Sequence, residues 1–496
     1  MIITKSTGLN FTSLLWCLAF LIVFFMASEM VSGDSDLVLH IAYGNAIIDN
    51  GFPPNDPLLS GVTEAPILQE WLFEIVVAKL DSLFGLTGPL IVFAALMGSL
   101  VGGLYHRMRT KNICMWVAML YGVIALLSLR PHLVIRPHLI SWVAAALLFM
   151  LLEDWYEGRR SFKSTSIAVF AIMISWANLH GGFLLGLVIM AVFAVDAVVD
   201  KLKNKIEDKG TPKLLEASIL LAVSAFITLL NPWGWDLHQH LVSFLTNSFI
   251  VSGTSDFQPP GFTEQTLPAL LIVLCFVWPP LLVRFSHVRL TQWLLALGLS
   301  ISACISVRNI PFLGILMLPI AATHLQQWLI ASTNKISNVV LTSSKRMEDD
   351  EEGKTGSLWI VLSLILSSVL VGSGIMKVGL TGKTVPSAAI EWVEEQDNLH
   401  QLPVFADYLA AGYLLYATPV ERVYLHALNA NYPVDRLQTW VRVGNGEPGW
   451  KNDIQNLKWA FLLSGSLQAD TLTQSSCWQV LYSDDMATIF QNDCTI

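Results

Sequence analysis

Polar and ionisable side chains of this chain fall mainly in five short segments that separate long apolar runs. A charged side chain at membrane depth costs about 2.5 kcal/mol or more, so such residues are functional-site candidates by default. The segments begin at Asp34, Arg130, Asn178, Asn231 and Arg308. The candidates that we select from them are Asp34, Asp36, His40, Asp56, Glu70, Arg130, Arg136, His138, Asn178, His180 and Arg308.

Two kinds of chemistry are open to these residues. A carboxylate such as Asp36 can take a proton from a hydroxyl group, and guanidinium forks such as those of Arg130 and Arg136 match phosphate oxygens. The pattern also has plainer explanations, because the acids can mark the water interface and the arginines can pack against carbonyl groups at helix ends. Loop histidines are more often hydrogen-bonded structural residues than bases or metal ligands.

The composition indicates an integral membrane protein. Of 496 residues, 54% are hydrophobic and only 14% are charged, whereas soluble domains carry about 25% charged residues. The apolar residues form long blocks, and about 20 of them cross a bilayer as a helix, which satisfies its own backbone polar groups. Nucleic-acid binding is poorly supported. The net charge of −9 is not informative by itself, because the sign of the local charge changes from segment to segment.

Eleven apolar blocks are predicted to span the membrane. The first block exceeds the roughly 7–15 residues of a signal-peptide core and is therefore interpreted as an uncleaved helix. The predicted spans are 11–31, 86–105, 113–129, 139–152, 164–178, 182–199, 214–230, 267–283, 290–307, 310–331 and 357–375.

The basic residues predict the orientation of these spans, because Lys and Arg concentrate in cytoplasmic loops. With the N-terminus inside, the predicted inner segments hold 18 basic residues, and the outer loops before residue 376 hold 4. This orientation makes 164–199 a hairpin that turns outside at Asn178-Leu-His-Gly-Gly182. It also places the polar candidates and the C-terminal region on the extracytoplasmic side of the cytoplasmic (inner) membrane.

The chain is predicted to consist of a transmembrane domain over 1–376 and a soluble extracytoplasmic α/β domain over 377–496. The second part is much more polar and contains short segments with the patterns of helices and strands. The elements predicted in it are a helix over 388–396, strands over 403–406 and 422–425, and a hairpin of 478–482 with 486–490.

The six cysteines are unevenly distributed. Cys477 and Cys494 flank the predicted hairpin in an oxidising compartment, which favours a disulfide between them, with two unpaired thiols as the alternative. The other four lie in apolar blocks, where cysteine usually serves as a small core residue. No CxxC or Cys/His spacing typical of a structural zinc site is present.

Several short motifs resemble bacterial glycosyltransferases of the GT-C superfamily. The resemblance extends over nearly the whole chain and implies an α-helical polytopic membrane protein with a soluble tail. The motifs are Gly33-Asp34-Ser-Asp36, His40, Gly51-Phe-Pro-Pro-Asn-Asp56-Pro, Gln69-Glu70-Trp-Leu, Arg136-Pro-His138, Trp176-Ala-Asn178-Leu-His180-Gly-Gly, Asn231-Pro-Trp-Gly234, Pro403-Val-Phe and Ala411-Gly-Tyr.

The resemblance implies transfer of a sugar from a polyprenyl-phosphate carrier to an acceptor on the extracytoplasmic side. In the family, an acid of the first outer loop acts at the acceptor nucleophile, and Asp34 and Asp36 occupy the matching positions. We expect Asp36 to be the base, with Asp34 in support and His40 one helical turn away holding the carboxylate. The residues expected to bind substrate are Asp56, Glu70, Arg130, Arg136, His138, Asn178, His180 and Arg308.

The cofactor and the exact role of the chain stay open at this point. Some relatives hold a divalent ion with paired acids, and Asp34, Asp36 and Asp56 could hold Mg²⁺ or Mn²⁺, whereas other relatives use no metal. The sequence lacks the Trp-Trp-Asp signature of oligosaccharyltransferases, which disfavours protein N-glycosylation. A non-catalytic scaffold subunit is an alternative role. A transporter is less favoured, because no internal repeat is evident and the polar residues lie outside the spans.

Overall fold

The structure, a computed structural model, describes residues 8–31, 35–203, 211–262, 266–380 and 385–493. Up to residue 380 the described chain is almost entirely helical. Its helices are α1 (Phe11–Val31), α2 (Asp36–Asn50), α3 (Trp71–Phe84), α4 (Thr87–Thr110), α5 (Met115–Leu129), α6 (His138–Tyr156), α7 (Phe162–Leu179), α8 (Phe183–Lys203), α9 (Thr211–Ile227), α10 (Trp235–Thr246), α11 (Ser248–Gly253), α12 (Thr266–Val283), α13 (Leu290–Ile305), α14 (Ile310–Ala331), α15 (Lys335–Glu351) and α16 (Ser357–Gly372).

Each of the eleven predicted spans coincides with one of these helices. By length and composition, seven helical segments of the described chain can cross a membrane, and three further apolar helices are shorter. The total of eleven spans therefore stays a prediction. The seven segments are Thr87–Thr110, Met115–His132, His138–Tyr156, Phe162–Leu179, Phe183–Lys203, Thr266–Val283 and Val307–Ala331, and the shorter ones are Phe11–Met26, Leu290–Ile305 and Ser357–Gly372.

Small residues allow the helices of the bundle to approach one another closely. Gly314 of α14 faces the Ser128 side chain of α5, and a Cβ at Gly314 would overlap it. Gly98 of α4 lies against Trp16 of α1, where an added Cβ would be 3.0 Å from the Trp16 carbonyl oxygen. Such contacts between small residues and neighbouring helices are typical of packing in membranes, where apolar area alone gives little driving force.

The predicted hairpin at residues 178–182 is present. Helix α7 ends at Leu179, His180 adopts an extended conformation, and α8 begins at Phe183. A Cβ at Gly182 would overlap the Ser141 hydroxyl of α6, so only glycine fits where this turn packs against α6. The turn therefore holds His180 close to the N-terminal part of α6.

The segment between α1 and α4 folds into two shorter helices, α2 and α3, which pack against each other. Gly44 of α2 lies against the backbone of Glu74 in α3, where a side chain would overlap the Glu74 carbonyl group. This close approach turns His40 and Glu74 toward each other. At the far end of α3, Leu83 and Phe84 are 70% and 66% exposed.

The region after α16 combines short helices with a four-stranded sheet of order β1-β2-β4-β3. Strands β1 and β2 pair in parallel, and β4 pairs antiparallel with both β2 and β3. Its elements are α17 (Ser387–Glu394), α18 (Asp397–His400), β1 (Val404–Ala406), α19 (Ala411–Ala417), α20 (Val434–Gly444), α21 (Trp450–Asp453), β2 (Trp459–Leu463), α22 (Leu467–Thr473), β3 (Trp478–Ser483) and β4 (Ala487–Asn492).

The first predicted helix, the first strand and the hairpin of this region are confirmed as α17, β1 and the β3–β4 pair. The strand predicted over 422–425 is wrong. Only Val423 pairs there, through isolated parallel bridges to Leu59 and Val404. Strand β2 was not predicted, because its residues are almost all buried and show no alternation of polar and apolar side chains.

The C-terminal region docks onto the segment between α1 and α4. Val423 exchanges backbone hydrogen bonds with Leu58 and Ser60, each of 2.9 Å. The Arg436 guanidinium donates to the Ser60 carbonyl oxygen at 2.6 Å, and the Tyr416 hydroxyl donates to Asp81 at 3.0 Å. These contacts fix the C-terminal region over the ends of the helices that carry the candidate residues.

Candidate active site

A cavity of about 880 Å³ lies between the helical bundle and the C-terminal region. Most of the charged and imidazole side chains that line it come from the segments picked out in the sequence. The C-terminal region contributes a part of the wall that carries no charged side chain. The ionisable lining residues used below are Asp36, His40, Glu70, Arg136, His138, His180, Asp256 and Arg308, and the C-terminal ones are Tyr408, Asn431 and Trp440.

The structure brings seven of the predicted site residues to this cavity and leaves three others elsewhere. Arg130 is exposed, and Arg130, Asp56 and Asn178 do not line the cavity. Asp34 lies outside the described residues. The seven that line the cavity are Asp36, His40, Glu70, Arg136, His138, His180 and Arg308.

Asp36 is the first residue of α2 and is only 7% exposed. Its position in the first turn favours the ionised carboxylate, because the N-terminus of a helix carries partial positive charge. Arg136, in the turn between α5 and α6, brings its Nη1 to 3.1 Å from Asp36 Oδ2 and to 3.6 Å from Asp256 Oδ2. Arg136 thus joins two carboxylates from segments more than 200 residues apart in sequence.

His40 lies one turn after Asp36 on α2, as expected, but its ion-pair contacts are with other acids. His40 Nδ1 is 3.5 Å from Glu74 Oε1, and His40 Nε2 is 3.8 Å from Glu70 Oε2. Burial, together with the positive charge of Arg136, lowers the pKa of His40 to about 3, so the ring is neutral near pH 7. The group that holds Asp36 in the structure is Arg136 rather than His40.

His180 approaches Glu70 from the opposite side. Its Nε2 is 3.6 Å from Glu70 Oε1, and its Nδ1 is 2.6 Å from the Ser141 hydroxyl. The Gly182 backbone N–H also donates to Nδ1, at 3.1 Å. Burial lowers the pKa of His180 to about 3, so this ring is neutral as well.

Glu70 therefore lies between two neutral imidazoles, immediately before α3. Burial raises its pKa to about 8, against the opposing effect of the positive charge on Arg308. A carboxyl group with such a pKa holds its proton at pH 7. Asp36 and Glu70 thus form a pair of acids whose surroundings favour opposite protonation states, which is the usual arrangement where one acid accepts and another donates a proton.

Two further segments contribute charged side chains to the cavity: Arg308 lies just before α14, and Asp256 lies after α11. With Asp36, Glu70 and Arg136, they form the charged wall of the cavity. The Arg308 guanidinium lies 4.7 Å from the centre of the Phe257 ring, within the range of a cation–π contact. His138 Nε2 donates to the backbone oxygen of His132 at 2.9 Å, and His132 Nδ1 is 3.9 Å from Asp256 Oδ1. Asp256 was not among the candidates, because nothing in its local sequence separates it from an ordinary polar loop residue.

Tyr408, Asn431 and Trp440 belong to the part of the cavity wall that the C-terminal region forms, here called the C-terminal wall. The sequence did not predict that this region belongs to the site. The Tyr408 hydroxyl donates to the backbone oxygen of Ala427 at 3.0 Å, and the Trp440 ring packs on Phe405 with centroids 5.2 Å apart. The lining residues from this region include no charged side chain. Their place at the cavity depends on the docking of the whole region, for which the sequence contains no local signal.

Asp56 supports the docked arrangement instead of lining the cavity. It accepts a hydrogen bond from the Tyr43 hydroxyl at 2.9 Å and two from the backbone N–H groups of Leu58 and Leu59, at 2.9 and 3.0 Å. The Tyr43 oxygen also lies 2.9 Å from His426 Nε2, a contact between the two parts of the chain.

Asn178 likewise ties helices together. Its side-chain oxygen accepts from Trp71 Nε1 at 3.0 Å, and its nitrogen donates to the Leu230 carbonyl oxygen at 3.0 Å. These contacts connect α3, the end of α7 and the segment after α9.

Among the described residues, no group of three or more His, Cys, Asp and Glu side chains could hold a metal ion. Asp36 faces a guanidinium group, and the Asp56 oxygens accept hydrogen bonds from the chain itself. These acids therefore assemble no metal site among the described residues, and Asp34, the third acid predicted to hold a cation, lies outside them. The divalent cation predicted from the sequence stays a prediction.

The disulfide predicted from the sequence is partly outside the described residues. Cys477 is disulfide-bonded, and the Asp493 N–H donates to the Cys477 carbonyl oxygen at 2.9 Å. Cys494 itself lies beyond the described chain, so the pairing of Cys477 with Cys494 stays a prediction.

A scan against protein-family models gave no match, and a search of curated proteins gave none either. Solved structures do match over nearly the whole chain. ArnT from Cupriavidus metallidurans bound to undecaprenyl phosphate aligns with a TM-score of 0.52 at 15% identity, covering 97% of this chain and 98% of ArnT. The apo state of the same protein gives a TM-score of 0.53 at 15% identity, with coverage of 96% and 97%.

The chain has the same overall fold as ArnT. The resemblance suggested by the short sequence motifs is therefore confirmed at the level of fold. An identity of 15% shows a shared fold alone and says nothing about the chemistry of this chain.

Proposed function

We propose that this protein transfers a sugar from a polyprenyl-phosphate-linked donor to an acceptor on the extracytoplasmic side of the cytoplasmic membrane. One observation carries the proposal: Asp36, Glu70, Arg136 and Arg308, from segments far apart in sequence, all line one cavity of about 880 Å³. The similarity in fold to ArnT, which was solved with undecaprenyl phosphate, supports the choice of donor class.

The proposed reaction is a displacement at the anomeric carbon of the donor sugar. An acceptor oxygen forms a bond to that carbon, the bond from the carbon to the phosphate oxygen breaks, and the polyprenyl phosphate leaves with the bonding electrons. The acceptor proton passes to the Asp36 carboxylate. The contact of 3.1 Å with Arg136 keeps this carboxylate ionised before the donor arrives.

Arg136 and Arg308 are the proposed partners of the donor phosphate. A guanidinium group binds phosphate through two parallel hydrogen bonds, and fixed cations stabilise the charge that develops on a leaving group. A phosphate bound by Arg136 would compete with Asp36 for the same guanidinium group. Donor binding would then weaken the Asp36–Arg136 contact and make Asp36 a better proton acceptor. Arg130, which is exposed and outside the cavity, has no part in this proposal.

The acceptor is proposed to lie against the C-terminal wall. The charged wall suits an anionic phosphate, whereas Tyr408, Asn431 and Trp440 offer aromatic surface and amide groups without charge. Binding sites for small molecules commonly combine such apolar walls with a few polar groups that fix orientation. A divalent cation is a separate proposal, and loss of transfer on chelation, restored by Mg²⁺ or Mn²⁺, would support it.

The function is tested with the purified full-length protein, polyprenyl-phosphate-linked sugars and extracted envelope lipids or glycans as acceptors. We expect release of polyprenyl phosphate together with a glycosylated product, and no product from the Asp36→Asn variant. An Asp36→Asn protein that restores normal function to cells lacking the wild type would contradict catalysis by Asp36 and support the scaffold role.

A further inference from the structure

The hydrogen bonds around His180 have a defined direction. The Trp176 indole N–H can only donate, and it donates to the Ser141 hydroxyl at 2.7 Å. The Ser141 hydroxyl then donates to His180 Nδ1, which also accepts from the Gly182 N–H. Because a neutral imidazole carries one proton, the proton of His180 is on Nε2, the atom that faces Glu70.

His40, on the other side of Glu70, also has two possible neutral tautomers, with the proton on Nδ1 or on Nε2. Its Nδ1 has no hydrogen-bond partner among the described residues, and neither has Oε2 of Glu74. Glu74 is 1% exposed, and burial raises its pKa well above the usual range. Glu74 Oε1 lies 3.5 Å from His40 Nδ1, so a proton on the Glu74 carboxyl would supply the donor that this nitrogen lacks, and a small approach of the two groups would satisfy both.

We infer that Glu74 is a positioning residue, which acts through His40 by holding the His40 proton on Nε2. With that tautomer, His40 and His180 each present an N–H group to one oxygen of the Glu70 carboxyl. Glu74 itself does not line the cavity, so its effect on substrate is indirect. The inference rests on the proposed function for its consequence in catalysis, although the tautomer of His40 can be measured without any reaction.

The tautomers of His40 and His180 determine which groups can accept the Glu70 proton. Both imidazole nitrogens that face Glu70 carry the ring proton, so neither ring accepts the carboxyl proton of Glu70. At 3.8 and 3.6 Å, neither N–H is close enough to hold Glu70 as an anion. Glu70 lines the cavity, and its proton is therefore directed to a ligand oxygen there. Glu70 would hydrogen-bond an oxygen of the bound sugar or phosphate while Asp36 remains the proton acceptor.

The test uses full-length protein with ¹⁵N-labelled histidine, because the ¹⁵N shifts of an imidazole distinguish its two neutral tautomers. The His40 signals are assigned by their loss in His40→Asn. We expect the Nε2–H tautomer for His40 in the wild type and in Glu74→Gln, whose amide still donates to Nδ1. We expect loss of that tautomer preference in Glu74→Met, which has similar volume and no donor.

Kinetics provide the second measurement. Groups that fix the tautomer of a metal-bound histidine contribute about 10- to 100-fold. By analogy, Glu74→Met should reduce turnover by roughly that factor, while Glu74→Gln stays close to wild type. Glu216→Met is the matched control, since Glu216 is a partly buried acid that accepts from Trp155 Nε1 at 2.7 Å and lies outside the cavity. Thermal unfolding checks that each variant is folded.

An Nδ1–H tautomer for His40 in the wild type, or unchanged His40 signals in a folded Glu74→Met, would overturn the inference. Wild-type protein without transfer activity but with the expected tautomers would instead count against the proposed function and leave the role of Glu74 toward His40 supported. Equal loss of turnover in Glu74→Gln and Glu74→Met, with His40 signals unchanged, would identify a merely structural role.

Discussion

Two acids of the cavity have contrasting surroundings at the scale of single residues. Asp36 faces the Arg136 guanidinium and begins a helix, and both features favour its ionised form. Glu70 faces two neutral imidazoles and is buried, which raises its pKa. In the proposed mechanism, Asp36 accepts a proton and Glu70 donates a hydrogen bond, and this difference leads to three predictions.

Replacement of Asp36 by Asn should abolish sugar transfer, because the amide keeps the shape of the side chain but cannot take a proton. Loss of a general base typically costs about 100- to 10,000-fold in rate. Single-turnover assays with donor already bound measure the effect, and binding of polyprenyl phosphate should persist. Near-normal transfer by this variant would remove Asp36 from the mechanism.

Replacement of Arg136 by Ala should weaken polyprenyl-phosphate binding. A hydrogen bond to a charged group contributes about 1.5–3 kcal/mol, which corresponds to a loss of roughly 10- to 100-fold in affinity. Arg136→Lys should recover only part of the loss, since the forked geometry is absent. Arg130→Ala is the matched control, because Arg130 belongs to the same turn but lies outside the cavity. Equal binding by Arg136→Ala and Arg130→Ala would refute the role.

The raised pKa of Glu70 predicts a pH dependence. With a pKa of about 8, Glu70 is protonated below pH 8 and becomes an anion above it, where it repels the donor phosphate and ceases to donate. Donor kcat/KM should therefore fall as pH rises from 7 to 9. The groups that face Glu70 are Asp36, Arg136, Arg308 and the two neutral histidines.

Glu70→Gln should lack this fall, since an amide does not ionise in that range. Folding stability is expected to change in the same direction as activity. The folded pKa lies above the ordinary value of 4.5, so the contribution of this group to stability is greatest at low pH and is lost as pH rises to about 8. Thermal unfolding at each pH separates this effect from catalysis, and a flat profile in the wild type would contradict the assignment.

At the scale of elements, α20 contributes the aromatic part of the C-terminal wall through Trp440. Trp440→Ala should raise the acceptor KM by roughly 10-fold, in line with about 1.5 kcal/mol for an aromatic contact, and should leave donor binding unchanged. Trp392→Ala is the matched control, because Trp392 packs on Tyr482 in the same region and does not line the cavity. A larger effect on the donor than on the acceptor would contradict the proposed division of the cavity.

The elements predicted correctly are those whose pattern of polar and apolar residues is visible in the sequence alone. Long apolar blocks gave the spanning helices, and alternation around a turn gave the β3–β4 hairpin. Strand β2 was missed because a segment buried on both faces has no periodic signature. The segment around Val423 was overinterpreted, because its apolar residues serve a docking contact with Leu59 rather than a ladder.

The candidate site was also predicted from a pattern visible in the sequence, namely polar residues at the ends of the apolar blocks. Seven of these residues line one cavity in the structure. What the sequence could not give was the choice of partners. Asp256 and Glu74 look like ordinary acids of a loop and a helix, and Arg130 has the same local motif as Arg136. Only packing between segments separates the residues that face the cavity from those that do not.

At the scale of the whole molecule, the charge pattern predicts that the bundle has one cytoplasmic and one extracytoplasmic face. A cysteine introduced at Lys203, at the end of α8, should react with a membrane-impermeant thiol reagent only after the cells are opened. A cysteine at Asp397, which is fully exposed in the C-terminal region, should react in intact cells. Labelling of the Lys203 position from outside would overturn the orientation.

Docking through Val423, Arg436 and His426 means that neither part of the chain contains a complete cavity. The charged groups come from the bundle and the turns between its helices, and the wall with Tyr408, Asn431 and Trp440 comes from the C-terminal region. Both parts are needed for binding of donor and acceptor in the mechanism proposed here.

The contact between Tyr43 and His426 joins residues 383 positions apart, which has a consequence for biosynthesis. At about 5–20 residues per second, the ribosome needs roughly 20–80 s between making Tyr43 and making His426. Throughout that time, the segment between α1 and α4 is without its docking partner. A nascent chain can therefore insert its helices early, yet it acquires a complete cavity only when nearly all of it has been translated. Under the proposed function, unfinished chains would thus be unable to consume lipid-linked sugars.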